Sequence, residues 1–439
     1  MKFKKDYGDL LLHVATTAAI LLSILLWIFI MTSDQRFNRI NQPTAVKTST
    51  RTSRSLYDLY APTSLYGFKD GRLRQLYDER HNLSLEFINE FKTVKLSLPR
   101  VISTNILAYQ RRLNDPSLLQ LAFPDQLTFT TFDKKLTMRS GYREFNRIFL
   151  SASNKVLYFG NDKTNIIYKM NISGVNFGKL RQYAANANSQ VPIRFVRFKD
   201  GYSVYYQNAI REKVYSYLVT HQADSYFVLR LLGTASVSSQ VNKDNQTTYS
   251  LNYYNRLRVP SRQTNDRNYV YIHYQKNSVL SPTQVLRDSV YYVHRVGLNE
   301  QDMHFFDADG SNITYTNYIE GIPVFIDDRN VQLKTNFLTD SVRVQFNSTN
   351  FQIPIPFDGR TETLPPTQTV VETLMNRGIS RDSIQKIIVG FILQNDNSHA
   401  NLINLVPTYF VKVYGQWRTL ASWKNWNMTY GSNAQKEAN

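Results

Sequence analysis

Residues Leu10 to Met31 read LLLHVATTAAILLSILLWIFIM and contain no Asp, Glu, Lys or Arg. At about 1.5 Å per residue, a helix of this length spans a hydrocarbon layer of roughly 30 Å. The apolar run exceeds the ~7 to 15 residues of a signal-peptide core, and no small-residue cleavage site follows it. The segment therefore predicts a retained transmembrane helix over residues 10–31 rather than a cleavable signal peptide.

The flanking charges give a nearly balanced indication of orientation. Three lysines and two aspartates precede the helix, and Arg36 and Arg39 follow it. A short, basic N-terminus before a long domain favours a cytoplasmic stub (1–9) and an extracytoplasmic domain. The predicted protein is a single-pass protein of the cell membrane.

Small residues recur along this helix. Ala15, Ala19 and Ser23 are spaced four apart, with Thr16 beside them, so they share one helix face. Small residues allow close helix approach in lipid, where no hydrophobic drive brings helices together. Two interpretations stay open with about equal weight: a partner-helix contact formed by these four residues, or the ordinary composition of a membrane helix.

Composition limits the chemistry of the remaining chain. The 439 residues contain no Cys, which excludes disulfides, thiolate metal sites and cysteine nucleophiles, and which suits the surface of a Gram-positive bacterium. The net charge of +18, from 52 Lys and Arg against 34 Asp and Glu, favours anionic lipid headgroups or wall polymers as partners. A dispersed, solvated basic surface is the favoured explanation of the charge over a dedicated polyanion site. No nucleic-acid recognition pattern occurs, so nucleic acid is not expected.

The extracytoplasmic part predicts a multi-domain, β-rich α+β protein, with antiparallel sheets and helices packed on them. The predicted divisions are a flexible tether (32–55), an N-terminal α+β domain (56–150), a central β-rich domain (151–280), a C-terminal α+β domain (281–430) and a disordered tail (431–439). Asp200-Gly201, between two aromatic-rich runs, predicts a hairpin. Pro282 to Gly297 and Thr367 to Gly378 predict helices, the second with Met375 facing inward, and the polar run Gly233 to Thr248 predicts a long loop.

No P-loop, G-x-S-x-G or H-E-x-x-H motif occurs, so we expect no enzyme activity, cofactor or metal site. Asp307 to Gly310 resembles the start of a calcium loop but lacks its glycine and bidentate Glu, which favours a solvated hairpin turn. His294 and His304 are expected to be ordinary histidines rather than metal ligands. Asp327-Asp328 also predicts a solvated turn, because adjacent strand residues point to opposite faces.

Four segments of the last third resemble the YycH family. They are YTNYIEGIPVFID (Tyr315 to Asp327), TVVETLMNRGI (Thr369 to Ile379), IIVGF (Ile387 to Phe391) and VPTYFVKVYGQW (Val406 to Trp417). The succession is similar to G-x-P-V-F, helix, l-G-Y and P-x-W-x-V, which YycH shares with its shorter partner YycI. Phe391 replaces the usual Tyr and Tyr409 the usual Trp. The membrane helix, tether and cysteine-free domain also match the family's organisation, and chain length favours YycH over YycI.

The resemblance implies a non-enzymatic regulator of the WalK/WalR (YycG/YycF) two-component system, which controls cell-wall homeostasis. It implies a YycI-like protein and a WalK-type histidine kinase as membrane partners, and a YycI-like fold for residues 281–430. The direction of regulation, the signal sensed and the stoichiometry do not follow from it. An alternative function is binding of an envelope polymer, such as teichoic acid or peptidoglycan, through basic residues clustered on one face.

Overall fold

The computed structural model describes most of the chain in eleven segments. They are residues 13, 15–26, 55–136, 143–261, 263–264, 266–277, 280–298, 302–356, 358–396, 399 and 401–426. The chain divides into two units, Met1–Ser53 and Arg54–Asn439.

In the first unit, residues 15–26 are helical and exposed. The Thr17 hydroxyl donates a hydrogen bond of 2.7 Å to the carbonyl of His13, one turn earlier. No helix in the described part of the chain is long and apolar enough to cross a membrane.

Several predictions concern residues outside the described segments. The predicted membrane helix extends beyond them at both ends. The stub (1–9), nearly all of the tether (32–55) and the tail (431–439) lie outside them entirely. These assignments therefore stay predictions.

The N-terminal part of the second unit forms a nine-stranded antiparallel sheet. Its strands are β1 (Ser64–Lys69), β2 (Arg72–Tyr77), β3 (Lys95–Leu96), β4 (Arg100–Ser103), β5 (Leu119–Thr128), β6 (Glu144–Leu150), β7 (Val156–Asn161), β8 (Ile166–Ser173) and β9 (Ser189–Pro192). Their order is β3-β8-β7-β6-β5-β1-β2-β9, and β4 pairs with β8 beside β3.

The C-terminal part is organised around a 14-stranded sheet. The remaining strands are β10 (Arg194–Phe198), β11 (Gly201–Tyr205), β12 (Ile210–Lys213), β13 (Tyr215–His221), β14 (Ser238–Val241), β15 (Thr247–Ser250), β16 (Asn255–Val259), β17 (Asn268–Tyr274), β18 (Met303–Asp309), β19 (Asn312–Ile319), β20 (Ile322–Phe325), β21 (Leu333–Phe337), β22 (Ser341–Asn347), β23 (Thr349–Pro354), β24 (Thr361–Leu364), β25 (Ile384–Asn395), β26 (Leu402–Val413) and β27 (Gln416–Thr419). The sheet runs β14-β15-β16-β17-β22-β21-β19-β20-β25-β26-β13-β23, with β18 on β19 and β27 on β26. All of its pairings are antiparallel except β20 with β25. The pairs β10-β11 and β12-β24 stand apart.

The helices lie on and between these sheets. They are α1 (Leu56–Leu59), α2 (Leu83–Phe91), α3 (Ile106–Leu113), α4 (Phe129–Phe132), α5 (Gly178–Ala185), α6 (Asp224–Leu232), α7 (Pro282–Val296), α8 (Thr367–Asn376) and α9 (Leu420–Lys424). The prediction of an α+β fold with antiparallel sheets is confirmed for the described residues.

Helix α7 shows how local sequence positions the core. Ser281 caps its N-terminus in a reciprocal capping box with Gln284, Pro282 occupies the first turn, and Gly297 ends it at a φ of 82°. Its buried face contacts β5 of the first sheet and β19 and β21 of the second. One hydrophobic cluster consequently contains residues from Leu59 to Phe346. The predicted domain boundaries at 150/151 and 280/281 stay predictions.

Two local predictions are wrong and one is confirmed. The run Gly233 to Thr248 contains strand β14 and the start of β15, whose polar side chains hide the hydrophobic alternation that would reveal a strand. Met375 is 49% exposed rather than inward. The hairpin at Asp200-Gly201 is confirmed as the turn between β10 and β11.

Candidate functional site

The turn between β19 and β20 lies within the first quoted segment and contacts the N-terminal sheet. Glu320 and Gly321 both have positive φ values, 52° and 77°. A Cβ atom on Gly321 would lie 2.9 Å from the carbonyl oxygen of Thr63, which immediately precedes β1. Glycine is therefore required where this turn packs against the backbone of the N-terminal part.

A cavity of about 340 Å³ opens beside this turn. The N-terminal part contributes Ser64, Tyr77 and Leu83 to its wall, and the C-terminal part contributes His304 and Glu320. Both polar and apolar side chains line it, so the two parts of the unit meet at a surface that is only partly filled.

An acidic cluster borders the same turn. The Lys213 ammonium lies 2.8 Å from a carboxylate oxygen of Glu79 and 3.5 Å from one of Glu320. Burial raises the pKa of Glu212 to about 7, and the charge of Glu320 adds to the rise while Lys213 opposes it. Glu212 is therefore protonated in part at neutral pH, unlike an ordinary surface carboxylate.

A second charged site lies where β18 crosses β26. The Lys412 ammonium contacts both carboxylate oxygens of Asp307, at 2.8 and 3.0 Å. Their side chains are 6% and 13% exposed. Burial raises the pKa of Asp307, and Lys412 opposes the rise. Burial alone would lower the pKa of Lys412, but the Asp307 and Asp125 carboxylates more than offset this and raise it.

The Asp307–Lys412 pair corrects the prediction of a solvated turn. Asp309, the last residue of strand β18, is exposed beside the turn at Gly310, but Asp307, two residues earlier in the same strand, points inward. Its neighbour Ala308 donates its backbone N–H to Asp125 of the first sheet, at 3.1 Å. The charge at position 307 is therefore part of the contact between the sheets.

Asp327 and Asp328 also differ from a simple solvated turn. The Asp327 carboxylate accepts the backbone N–H groups of Arg329 and Asn330, both at 2.8 Å, and closes the turn. Asp328 instead accepts the N–H and hydroxyl of Thr419, at 2.9 and 2.8 Å. The two carboxylates therefore accept hydrogen bonds from different partners. Asp328 fixes the start of helix α9.

The histidines singled out in the sequence have local partners. His304 Nε2 lies 3.2 Å from Asp302. The carbonyl of His294, in the last turn of α7, accepts a hydrogen bond of 2.8 Å from Arg230. No group of three or more His, Asp or Glu side chains within the described segments could hold a metal ion.

A third charge network, which is buried, could not be recognised from the sequence. Arg147 contacts Asp162 through two hydrogen bonds of 3.0 and 2.8 Å, and both side chains are at most 3% exposed. The Tyr109 hydroxyl donates to Asp162, and the Arg147 guanidinium lies 4.4 Å from the ring centroid of Phe195. In the sequence, the only indication of this network is a charged residue inside the apolar run EFNRIFL. That pattern does not identify the partner of the charge.

Packing and hydrogen bonding explain three residues of the quoted segments. A Cβ on Gly390 would lie 2.8 Å from the ring of Phe410, so the close pairing of β25 and β26 needs glycine there. Phe391 is 1% exposed, as suits a ring without a hydroxyl. The Tyr409 hydroxyl donates to the carbonyl of Pro365 at 2.9 Å.

The predicted partner-contact residues lie in the first unit. Ala15, Thr16, Ala19 and Ser23 all fall on the helical residues 15–26 and are exposed there. Their role in binding a partner helix stays a prediction.

Comparisons with known proteins agree with the four segments. The family model described as YycH protein, C-terminal domain, matches residues 213–425, which include all four. Residues 213–425 belong to the YycH family. The crystal structure of YycH from Bacillus subtilis is similar, with a TM-score of 0.66 at 14% identity, over 84% of this chain and 98% of that chain. At this identity the likeness is one of fold. No curated protein matches the chain.

Family membership suggests a regulatory accessory protein of the WalK (YycG) kinase system. Lys412 and Arg147 each bond a carboxylate through two short contacts, and Lys213 bridges Glu79 and Glu320. These ion pairs thus connect strands and turns of the fold.

We predict that Asp307→Ala is strongly destabilising. Removing one member of a buried pair leaves the other charge without its partner, which costs on the order of 3 kcal/mol or more. The matched control is Asp309→Ala, at an exposed turn position, with an expected change within about 0.5 kcal/mol. Urea unfolding of residues 54–439 measures both. Equal losses for the two variants would contradict the structural role of the pair.

We predict that Glu212→Gln stabilises the protein in a pH-dependent manner. The pKa of Glu212 rises from 4.5 to about 7 on folding, so the folded state binds the proton more tightly. Stability from this group is fully present below pH ~4.5 and is lost as pH rises through ~7. The variant removes that loss, so it should be more stable than the parent at pH 8, by about 1 to 3 kcal/mol.

The same variant should gain little at pH 5, where the parent Glu212 is protonated when folded. Glu372→Gln, at an exposed carboxylate, is the control. Thermal unfolding at the two pH values measures the difference. A gain that is the same at both pH values would contradict the raised pKa.

Proposed function

We propose that the protein is a single-pass membrane protein with an extracytoplasmic domain that regulates a WalK-type histidine kinase. It acts together with a YycI-like partner and through the kinase affects cell-wall homeostasis. The observation that carries the proposal is the family match over residues 213–425. The apolar sequence from Leu10 to Met31 supports the membrane anchor.

The regulator contacts its partners through the predicted membrane helix. Ala15, Ala19 and Ser23 form a stripe of small residues on one face, with Thr16 beside it. Small side chains permit close backbone approach, and the Ser and Thr hydroxyls can donate hydrogen bonds across a helix pair. Larger side chains such as Leu21 and Leu25 lie on the other side of the helix, facing lipid.

We predict that Ala15→Leu with Ala19→Leu weakens partner binding. The added side chains prevent close approach, at a cost on the order of 1 kcal/mol of association, while the helix still inserts. The matched control, Leu21→Ala with Leu25→Ala, changes the same number of residues on the other side of the helix. Co-purification of the kinase and the YycI-like partner in mild detergent measures binding, and a reporter of the cell-wall regulon measures signalling.

The stripe has no contact role if both double variants capture the partners equally and leave the reporter unchanged. The helix would then be an anchor only, and the extracytoplasmic domain would provide the contact. Loss of capture by the control pair alone would place the contact on the leucine faces.

A further inference from the structure

An exposed apolar surface lies at one edge of the first sheet. It contains five apolar side chains. Leu98 precedes strand β4, Val101 and Ile102 are in β4, and Ile106 and Leu107 begin helix α3. Their exposed fractions are 58, 38, 44, 42 and 62% in that order. All five fall within ten consecutive residues. Such a concentration of exposed apolar side chains is typical of an interaction surface.

The charged residues along this stretch of sequence are all basic. The stretch from Phe91 to Asn114 contains five basic residues and no Asp or Glu. Lys92 pairs with Asp58, but the other four lie around the apolar side chains or on α3. An apolar surface bordered only by cations matches the boundary of an anionic lipid layer.

The cross-strand pairing adds an independent indication of an anionic partner. Arg100 of β4 lies directly opposite Lys169 of β8, and Lys169 lies opposite Tyr158 of β7. The Arg112 guanidinium lies 4.0 Å from the ring centroid of Tyr158. Like charges directly opposite each other are destabilising. Within the described segments neither Arg100 nor Lys169 forms an ion pair, so an external anion would relieve the repulsion.

The edge itself disfavours another protein strand as the partner. Among the described strands β4 pairs with β8 alone. Pro99, directly before β4, has no N–H to donate, and Arg100 places a charge on the edge. Proline and charge are the features that prevent strand addition at a sheet edge. A lipid surface needs no such hydrogen bonds.

We infer that this surface, formed by Leu98, Arg100, Val101, Ile102, Ile106 and Leu107, docks on the anionic phospholipid leaflet that holds the anchor. The inference rests on the proposed function for the anchor. The tether predicted from sequence over residues 32–55 would have an r.m.s. length of about 25–30 Å as a random chain, which would let this surface reach the membrane. The apolar side chains enter the headgroup region, and Arg100, Arg111 and Lys169 contact lipid phosphates.

Hydrogen exchange of the full chain in lipid nanodiscs, at one copy per disc, tests this docking. We compare discs of phosphatidylcholine alone with discs that also contain phosphatidylglycerol. Peptides covering residues 98–107 should exchange more slowly in the anionic discs, on the order of fivefold or more, because the lipid excludes water from the free edge of β4. High salt should reduce the protection.

Ile102→Glu with Leu107→Glu should abolish the protection, and Arg100→Gln with Arg111→Gln should reduce it. Val241→Glu with Leu338→Glu is the control, since these exposed side chains belong to the other sheet. Thermal unfolding of each variant shows whether it is folded.

Four results would overturn the inference. The first is equal exchange of residues 98–107 in the two kinds of disc. The second is protection that appears only with two copies per disc, which indicates self-association. The third is protection by added teichoic acid in neutral discs without protection by phosphatidylglycerol. The fourth, failure of the chain to enter discs at all, would contradict the anchor of the proposed function and the tethering step with it.

Discussion

The Asp307–Lys412 contact is the constraint on which the C-terminal half depends most. Lys412 is in the long strand β26, and Asp307 is in β18, two residues before the strand ends. A buried ammonium is tolerated only with a carboxylate in reach, so the two strands can cross in only one arrangement. The first sheet adds Asp125, which bonds the backbone of Ala308, and the Pro124 carbonyl, which accepts from Lys386. Polar contacts thus fix the point where the two sheets meet.

The parts of the fold that could be predicted from sequence are those set by local chemistry. Helix α7 has its capping box, its proline and its terminal glycine within the sequence of the helix itself. The Asp200-Gly201 hairpin has its turn residues between two β-prone runs. In both cases the determining residues lie within a few positions of each other, so a pattern in one stretch of sequence is enough.

The candidate site could not be predicted because its determinants are distant in sequence. Asp307 and Lys412 are separated by 105 residues, and no local feature distinguishes Asp307 from the exposed Asp309. The raised pKa of Glu212 depends on burial and on Glu320 across the cluster. The hairpin of β14 and β15 could not be predicted from the sequence for a different reason. Its pairing depends on backbone hydrogen bonds between polar residues, which leave no hydrophobic period.

The charges of this chain divide into two groups with different roles. Buried pairs such as Arg147–Asp162 hold elements together, whereas Arg100 and Lys169, which form no ion pair within the described segments, lie opposite each other at the edge of the first sheet. The central claim is that a protein built in this way regulates a kinase in the same membrane. The most direct test is autophosphorylation of a WalK-type kinase in proteoliposomes that contain a YycI-like partner, with and without the full chain. A changed rate with the full chain, but not with residues 54–439 alone, supports the account. An unchanged rate with the full chain inserted beside both partners would contradict it.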